Sequence, residues 1–176
     1  MVNPKSNHLV TAAAKLCLKS WSRLLPPAVN INRVDQDEDI LRFILKGHLL
    51  NCYESMYWPF TVVAINFPAN RDRSFDHLVQ KQFQVCVDRI WVNESGFHHR
   101  HHGTWGMMRS CTRSALVLVT AKRCAQLDEL LPPDWAQAVQ SVIGLLGYWS
   151  GECGDAASRR DILEEAVRNL GEIDHV

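Results

Sequence analysis

Hydrophobic residues recur every three or four positions along most of this chain, whereas strict alternation of hydrophobic and polar residues is almost absent. The first pattern places apolar side chains on one face of an α-helix, and the second is typical of a half-buried β-strand. The periodic stretches therefore predict about six helices, some of them kinked. The sequence has no internal repeat or low-complexity segment that would indicate another architecture.

The first two predicted helices are bounded by prolines and acidic residues. Pro26-Pro27 ends the first helix, because proline lacks the backbone N–H that a helix interior needs. The acidic segment 35–39 precedes the second helix, since negative charge is favourable at the positive end of a helix dipole. Pro59 should end or kink this helix before an apolar continuation over 61–67. The two apolar stripes are Leu9, Ala13, Leu16, Cys17, Trp21 and Leu24, and Ile40, Leu41, Ile44, Leu45, His48, Cys52 and Met56.

Four further stripes follow in the second half of the chain. Ser74 is the predicted N-cap of the third helix, which the segment 93–96 then breaks. Gly103-Thr104 begins the fourth helix, and Lys122-Arg123 suit its C-terminus. The segment 130–135 turns the chain again before the last two helices. The stripes are Phe75, Leu78, Val79, Phe83, Cys86, Ile90 and Trp91; Trp105, Met108, Cys111, Thr112, Ala115, Leu116 and Val119; Trp135, Ala138, Val139, Val142, Ile143, Leu146 and Trp149; and Ile162, Leu163, Ala166, Val167 and Leu170.

Two β-branched runs, 62–65 and 116–119, have the composition of short strands. Both continue a longer helical stripe instead of lying between turn residues, so we assign them to helices. The sequence thus predicts an all-α fold, an irregular array of about six to seven helices that forms one domain over residues 1–176.

Composition and charge narrow the classes of function. An apolar fraction of 47% and a charged fraction of 22% are those of a soluble globular protein. Nineteen basic and nineteen acidic residues cancel, so no overall positive field draws the chain to a phosphate backbone, and direct DNA binding is disfavoured. No segment approaches the length of uncharged residues that a membrane span needs. We expect a soluble, intracellular protein without membrane contact.

The cysteines and tryptophans are predicted to be core residues. The cysteines lie tens of residues apart without a C-x2-C pair, which argues against a zinc finger and favours reduced, buried thiols. The tryptophans lie on or at the ends of the apolar stripes, where burial of the indole is the common use. The residues concerned are Cys17, Cys52, Cys86, Cys111, Cys124 and Cys153, and Trp21, Trp58, Trp91, Trp105, Trp135 and Trp149.

Four histidines surround Arg100 just before the fourth helix, and they allow two interpretations. His98 and His102 are four residues apart, so on a helix they could present two imidazole ligands to a metal ion. A third ligand would have to come from elsewhere, and the charge of Arg100 opposes a cation. We favour a polar lead-in to a buried helix. The metal-binding or acid/base alternative rests on His98, His99, His101 and His102.

No other pattern predicts an enzyme. The sequence lacks a G-x-S-x-G elbow, a glycine-rich phosphate loop and an HExxH string. Arg109 and Arg113 lie one helical turn apart and could clamp an anion, but such side chains more often reach solvent or a neighbouring carboxylate. Glu152 and Asp155 are interpreted as surface charges. We therefore predict no catalytic residue and no cofactor.

Several short strings follow one another along the chain: Trp21 before Leu-Leu-Pro, the acidic segment, CYESMYWPF at 52–60, RHHGTWGMMRS at 100–110, LPPDW at 131–135 and LGYWSGE at 146–152. Over roughly residues 16 to 170 they resemble the C-terminal part of the regulatory, or middle homology, region of fungal zinc-cluster transcription factors, whose DNA-binding module holds a six-cysteine binuclear zinc cluster. The residues that carry this resemblance best are Tyr57, Trp58, Pro59, Phe60, Arg100, His101, His102, Gly103, Thr104, Trp105 and Arg109.

The resemblance implies an all-α regulatory domain of a nuclear transcription regulator, which contacts other proteins or senses a small molecule. Residues 1–176 contain no DNA-binding module, and the first half of the family's helical region is also missing. We therefore expect a truncated regulator or a stand-alone derivative, with zinc confined to the missing module. Because the sequence has no basic nuclear signal, a cytoplasmic location stays open.

A truncated helical domain should expose apolar faces that normally meet the missing half. Such a patch recruits a protein partner or promotes self-association, which we expect for the isolated chain. A small-molecule sensor is the alternative, with a pocket between helices near Tyr57, Trp58, Phe60 and Trp105.

Overall fold

The structure, a computed structural model, describes residues 4–26, 40–100 and 103–171. These residues form seven α-helices and two short 3-10 turns, and they contain no β-strand. The α-helices are α1 (Pro4–Leu24), α2 (Ile40–Asn66), α3 (Asp76–Glu94), α4 (Thr104–Arg123), α5 (Ala125–Asp128), α6 (Trp135–Trp149) and α7 (Gly154–Gly171). The predicted all-α fold is confirmed, and both β-branched runs are helical. Within the described ranges, none of the helices is long and apolar enough to cross a membrane.

Most helix boundaries lie where the prolines, glycines and charged residues of the sequence predicted them. α1 ends before Pro26, α3 ends before the 95–98 turn, and α4 begins at Thr104 with Gly103 as its N-cap. The Ser74 prediction is wrong: Ser74 lies inside a 3-10 turn, Arg73–Phe75, that runs directly into α3. The backbone N–H of Ser74 donates to the Asp72 carboxylate at 2.9 Å, so Asp72 supplies the side-chain cap. The predicted roles of Pro27 and of segment 35–39 lie outside the described residues.

α2 continues through Pro59 to Asn66, so proline does not end this helix. Pro59 cannot donate to the Ser55 carbonyl one turn earlier. Both residues face solvent, where water can satisfy that carbonyl. Packing on the opposite face explains why the helix persists, because Tyr57, Phe60 and Ala64 are all buried.

α4 is the central helix of the core. It contacts α3, α5, α6 and α7, while α3 also contacts α2 and α6. The predicted stripes of α3, α4 and α6 meet here, and most of their residues are buried as expected. The largest side chains that are completely enclosed include Phe83, Ile90, Leu118, Leu145, Leu146 and Leu163.

The predicted core face of α1 is wrong, because that stripe faces solvent. Ala13, Leu16, Cys17, Trp21 and Leu24 are all exposed, Leu16 by 66% and Leu24 by 82%. Their neighbours on the opposite face, among them Thr11 and Leu18, are buried or half-buried. α1 therefore contacts α2 through its less apolar side. The side chain of Leu9 lies outside the described residues.

Part of the stripe predicted for α2 is also turned outwards, whereas its members Leu45 and Met56 are half-buried and Met56 packs against the core. Leu41, Ile44, His48 and Cys52 are exposed, and they share a helical face with Trp58. The residues that contact α3 instead lie on the other side of α2, where the apolar pattern is interrupted by Glu54. The periodicity identified an apolar face of α2 correctly, but we expected that face to be buried and most of it is exposed to solvent. The Ile40 side chain lies outside the described residues.

Only some of the cysteines and tryptophans are core residues as predicted. Cys86, Cys111 and Trp149 are buried, and Trp91 and Trp135 pack at the edge of the core. Cys124 and Cys153 are half-buried, and all six cysteines are free thiols. The exposed members are corrections to the prediction: Cys17, Cys52, Trp21, Trp58 and Trp105.

This difference in cysteine burial predicts a selective reaction with alkylating reagents. Burial raises the pKa of both Cys86 and Cys111 to about 12, so neither forms the reactive thiolate at pH 8. We expect brief iodoacetamide treatment to label Cys17 and Cys52 first and to label Cys86 and Cys111 only in denaturant. Peptide mass spectrometry measures this order, and equal labelling of all four in the native protein would contradict the packing described.

Candidate functional site

A cleft of about 350 Å³ lies where α2, α4 and α7 meet. α4 supplies most of its wall, because positions 109, 112, 113, 116, 117 and 120 follow one face of a helix. The lining residues are Trp58 and Ile65 from α2; Arg109, Thr112, Arg113, Leu116, Val117 and Thr120 from α4; and Arg159 from α7. The cleft thus combines three guanidinium groups with an apolar wall.

Two of the three arginines have carboxylate partners. Arg113 Nη2 donates to Glu54 Oε2 at 2.7 Å, and Arg159 Nε donates to Asp155 Oδ2 at 2.9 Å. The Arg159 hydrogen bond, followed by the charges of Arg159 and Arg109, lowers the pKa of Asp155. Within the described part of the chain, the Arg109 side chain makes no hydrogen bond or ion pair. Its guanidinium group is therefore the one at the cleft that is available to a ligand.

Glu54 also holds a buried arginine behind the cleft. Arg89 Nη2 donates to Glu54 Oε2 at 2.6 Å, and Arg89 Nη1 donates to Asn51 Oδ1 at 2.9 Å. The Arg89 side chain is only 4% exposed, whereas Arg113 on the other side of Glu54 is 55% exposed. The Glu54 carboxylate therefore forms ion pairs with two arginines, Arg89 in the core and Arg113 at the cleft.

The rest of the cleft offers few hydrogen-bond donors. Thr112 Oγ1 donates to Met108 O at 2.7 Å and Thr120 Oγ1 donates to Leu116 O at 2.7 Å, so both hydroxyl protons are used within α4. The Leu116, Val117 and Ile65 side chains supply the apolar surface. A bound molecule would be oriented by the arginines and covered by hydrocarbon.

The histidine segment has a structural role in its described part. His98 packs edge-on against Tyr148 with ring centroids 4.6 Å apart, and the Arg100 guanidinium lies 5.7 Å from the centre of the Trp149 ring. Arg100 also forms an ion pair with Glu152. His98 lies in a turn, and residues 99–100 have no regular secondary structure. These contacts attach the α3–α4 connection to the end of α6.

Backbone carbonyls complete this attachment. Trp149 Nε1 donates to the carbonyl of buried Phe97 at 2.8 Å, and Thr104 Oγ1 donates to the carbonyl of His99 at 3.1 Å. Trp105 lies edge-on to Trp149, with centroids 6.2 Å apart. Of the RHHGTW string, Thr104 thus contacts the segment that precedes α4, and Trp105 contacts Trp149 at the end of α6.

The other residues singled out from the sequence are dispersed. Tyr57 is buried and stacks on Tyr53 at 6.2 Å, and Phe60 is buried beside Phe75 at 5.3 Å. Of the residues expected around a pocket, only Trp58 lines the cleft. Among the described residues, no three histidine, cysteine or acidic side chains come together to hold a metal ion. His101 and His102, candidate ligands in the metal-binding alternative, lie outside the described residues.

Sequence reasoning missed three members of the site, Glu54, Arg89 and Arg159. A signal was present for Arg89, because it interrupts the apolar stripe between Cys86 and Ile90, and a charge in a buried stripe requires a partner. Its partner, 35 positions earlier, depends on how α2 packs on α3. No sequence signal identified Arg159.

Comparisons with protein-family models, with curated proteins and with solved structures find no match for this chain.

Proposed function

We propose that this chain is a helical protein-interaction module of a transcription regulator, and that it binds its partner through the exposed stripe of α1. The observation that carries the proposal is the orientation of α1, whose most apolar face points away from the core. Leu16, Trp21 and Leu24 gain nothing from exposure to water, and exposed apolar patches mark interaction sites. A helix presented in this way is suited to pairing with another amphipathic helix.

Charge selects the kind of partner. Lys19 and Arg23 lie on the solvent-exposed side of α1 next to the stripe, and α1 contains no acidic residue. A partner helix with apolar residues on one face and acidic residues beside them would complement this surface, whereas two copies of α1 would bring like charges together. We therefore infer an acidic, amphipathic protein segment as the natural partner and weaker self-association as a property of the isolated chain.

The link to transcription rests on the strings that resemble the fungal zinc-cluster regulatory region. In this proposal the module acts in the nucleus, and DNA contact and zinc belong to another module or to a partner protein. A reporter assay tests this link. Fused to an unrelated DNA-binding domain, the chain should change reporter expression, and the variant with Leu16→Ser and Leu24→Ser should not. No change with the unaltered chain would contradict a regulatory role.

The same variant tests the interaction surface directly. We expect the change of Leu16 and Leu24 to serine to weaken self-association, measured by sedimentation equilibrium, at least ten-fold, because both leucines lose apolar contact area. The fold should persist, since neither side chain packs in the core. Salt should strengthen self-association by screening the charges of Lys19 and Arg23, and it should weaken binding of a synthetic peptide with a leucine face and glutamate flanks.

A matched control is Ile162→Ser, which removes an exposed apolar side chain from α7 instead. It should leave self-association and peptide binding unchanged. A compact monomer that binds neither the peptide nor a dye for apolar surfaces would contradict the proposal.

A second candidate function, sensing of a small molecule, is favoured by one observation, the arginine-lined cleft. Its volume lies at the small end of the range of ligand pockets, roughly 300–1,000 Å³. The cleft and the α1 stripe use different helix faces, so the two functions are compatible.

A further inference from the structure

The charges around the cleft are unbalanced. Four arginines lie at or directly behind it, and they share two carboxylates, Glu54 and Asp155. Because the four arginines contact only these two carboxylates among the described residues, two of the four positive charges are not neutralised by them. One of the two is located at Arg109, which has no carboxylate partner among the described residues. An anion is the ligand that this field favours.

The shape of the cleft adds a second requirement. Arg109 and Arg113 precede Leu116 and Val117 along α4, so charge lies at one end of the wall and hydrocarbon at the other. The distance along the helix from Arg109 to Val117 is about 12 Å at 1.5 Å per residue. A small inorganic anion would leave the apolar end open to water, and an uncharged lipid would leave the arginines unused.

We propose that this cleft binds a small amphipathic carboxylate, with the carboxylate on Arg109 and the hydrocarbon chain along Leu116, Val117 and Ile65. This inference rests on the second function proposed above and names its class of ligand. A planar guanidinium group binds a carboxylate through two parallel hydrogen bonds, which fixes the orientation of the chain. Trp58 also lines the cleft, and its side chain is partly exposed.

The proposal is tested with octanoate, with octanamide as an uncharged match and with acetate as an anion that lacks the chain. Isothermal titration calorimetry gives the affinities, and methyl NMR shifts of Ile65, Leu116 and Val117 locate the ligand. We expect octanoate to bind at least ten-fold more tightly than either control compound and to shift these methyl groups.

Arg109→Gln is the decisive variant, because Arg109 has no hydrogen-bond or ion-pair partner among the described residues whose loss would disturb the fold. It should weaken octanoate binding at least ten-fold and leave octanamide binding unchanged. The matched control is Arg123→Gln on the same helix, outside the lining, which should leave octanoate binding unchanged.

Three results would overturn the inference: equal affinity for octanoate and octanamide, equal behaviour of the two variants, or displacement of octanoate by the acidic peptide with shifts of the same methyl groups. The last would assign the cleft to a protein. Octanoate binding and α1-dependent self-association are measured in separate experiments. If octanoate fails to bind, the proposal for α1 is therefore not affected. Loss of α1-dependent association would likewise leave octanoate binding intact.

Discussion

Replacing Glu54 with leucine is expected to lower the free energy of unfolding by about 3–5 kcal/mol, because it leaves the buried charge of Arg89 without a counter-ion. Arg89 is almost completely enclosed, and Glu54 is its only carboxylate partner among the described residues. Since small domains have total stabilities of about 5–15 kcal/mol, this loss would be a large part of the whole. Urea denaturation followed by circular dichroism measures it.

Two control variants separate charge compensation from packing. Arg113→Gln removes the exposed partner of the same carboxylate and should cost about 0–1 kcal/mol, as surface ion pairs do. Adding Arg89→Met to Glu54→Leu removes the stranded charge and should restore most of the stability, because apolar replacements of both partners are well tolerated. If the double variant is no more stable than Glu54→Leu alone, the ion pair is not the cause.

Replacing Leu118 with alanine is expected to cost about 2–5 kcal/mol, since it opens a cavity in the central helix. Leu118 is completely buried in α4, which contacts four other helices. The surrounding side chains cannot all move to fill the space that the leucine leaves. Thermal or urea unfolding gives the value.

Ile162→Ala is the informative comparison, because the sequence pattern placed Ile162 in a core stripe and the structure places it at the surface. It should change stability by less than about 0.5 kcal/mol. A loss as large as that of Leu118→Ala would contradict the orientation of α7.

The helices were predictable because their signals are local. Proline after α1, glycine before α4 and the basic end of α4 act within one turn of the boundary, and no tertiary contact is needed to interpret them. The cap predicted at Ser74 was wrong, and of the two outcomes predicted for Pro59 the end of α2 did not occur there. Because a 3-10 turn precedes α3, Asp72 supplies the side-chain cap instead of Ser74. Because Tyr57 and Phe60 are buried, α2 continues beyond Pro59.

The direction in which α1 and α2 face was not predictable in the same way. A period of 3.6 residues shows that Leu16 and Leu24 share a face, but it carries no information on what that face meets. The sequence-based reasoning assumed that the most apolar face enters the core. In this fold, α1 turns its less apolar face towards its neighbour, whereas α2 has apolar side chains on both its buried and its exposed side.

The candidate site was predicted only in fragments. Arg109, Arg113 and Trp58 attracted attention from their spacing and composition, yet their common location at one cleft depends on the packing of α2 and α7 against α4. The histidine segment was interpreted as a polar lead-in to α4, with metal binding as the alternative. In its described part, His98 and the neighbouring Arg100 attach a loop to α6 through ring and charge contacts that no spacing rule describes.

The attachment of α1 has a consequence for the order in which parts of the fold open. Of the α1 side chains described, only Thr11 is fully buried, whereas α4 is enclosed by four helices. Segments with few buried contacts open with low free energy, so the amide protons of α1 should exchange with solvent long before those of α4. A partner could therefore bind α1 after it has separated from α2, without unfolding the other helices. Slower amide exchange in α1 would then show that the partner is bound.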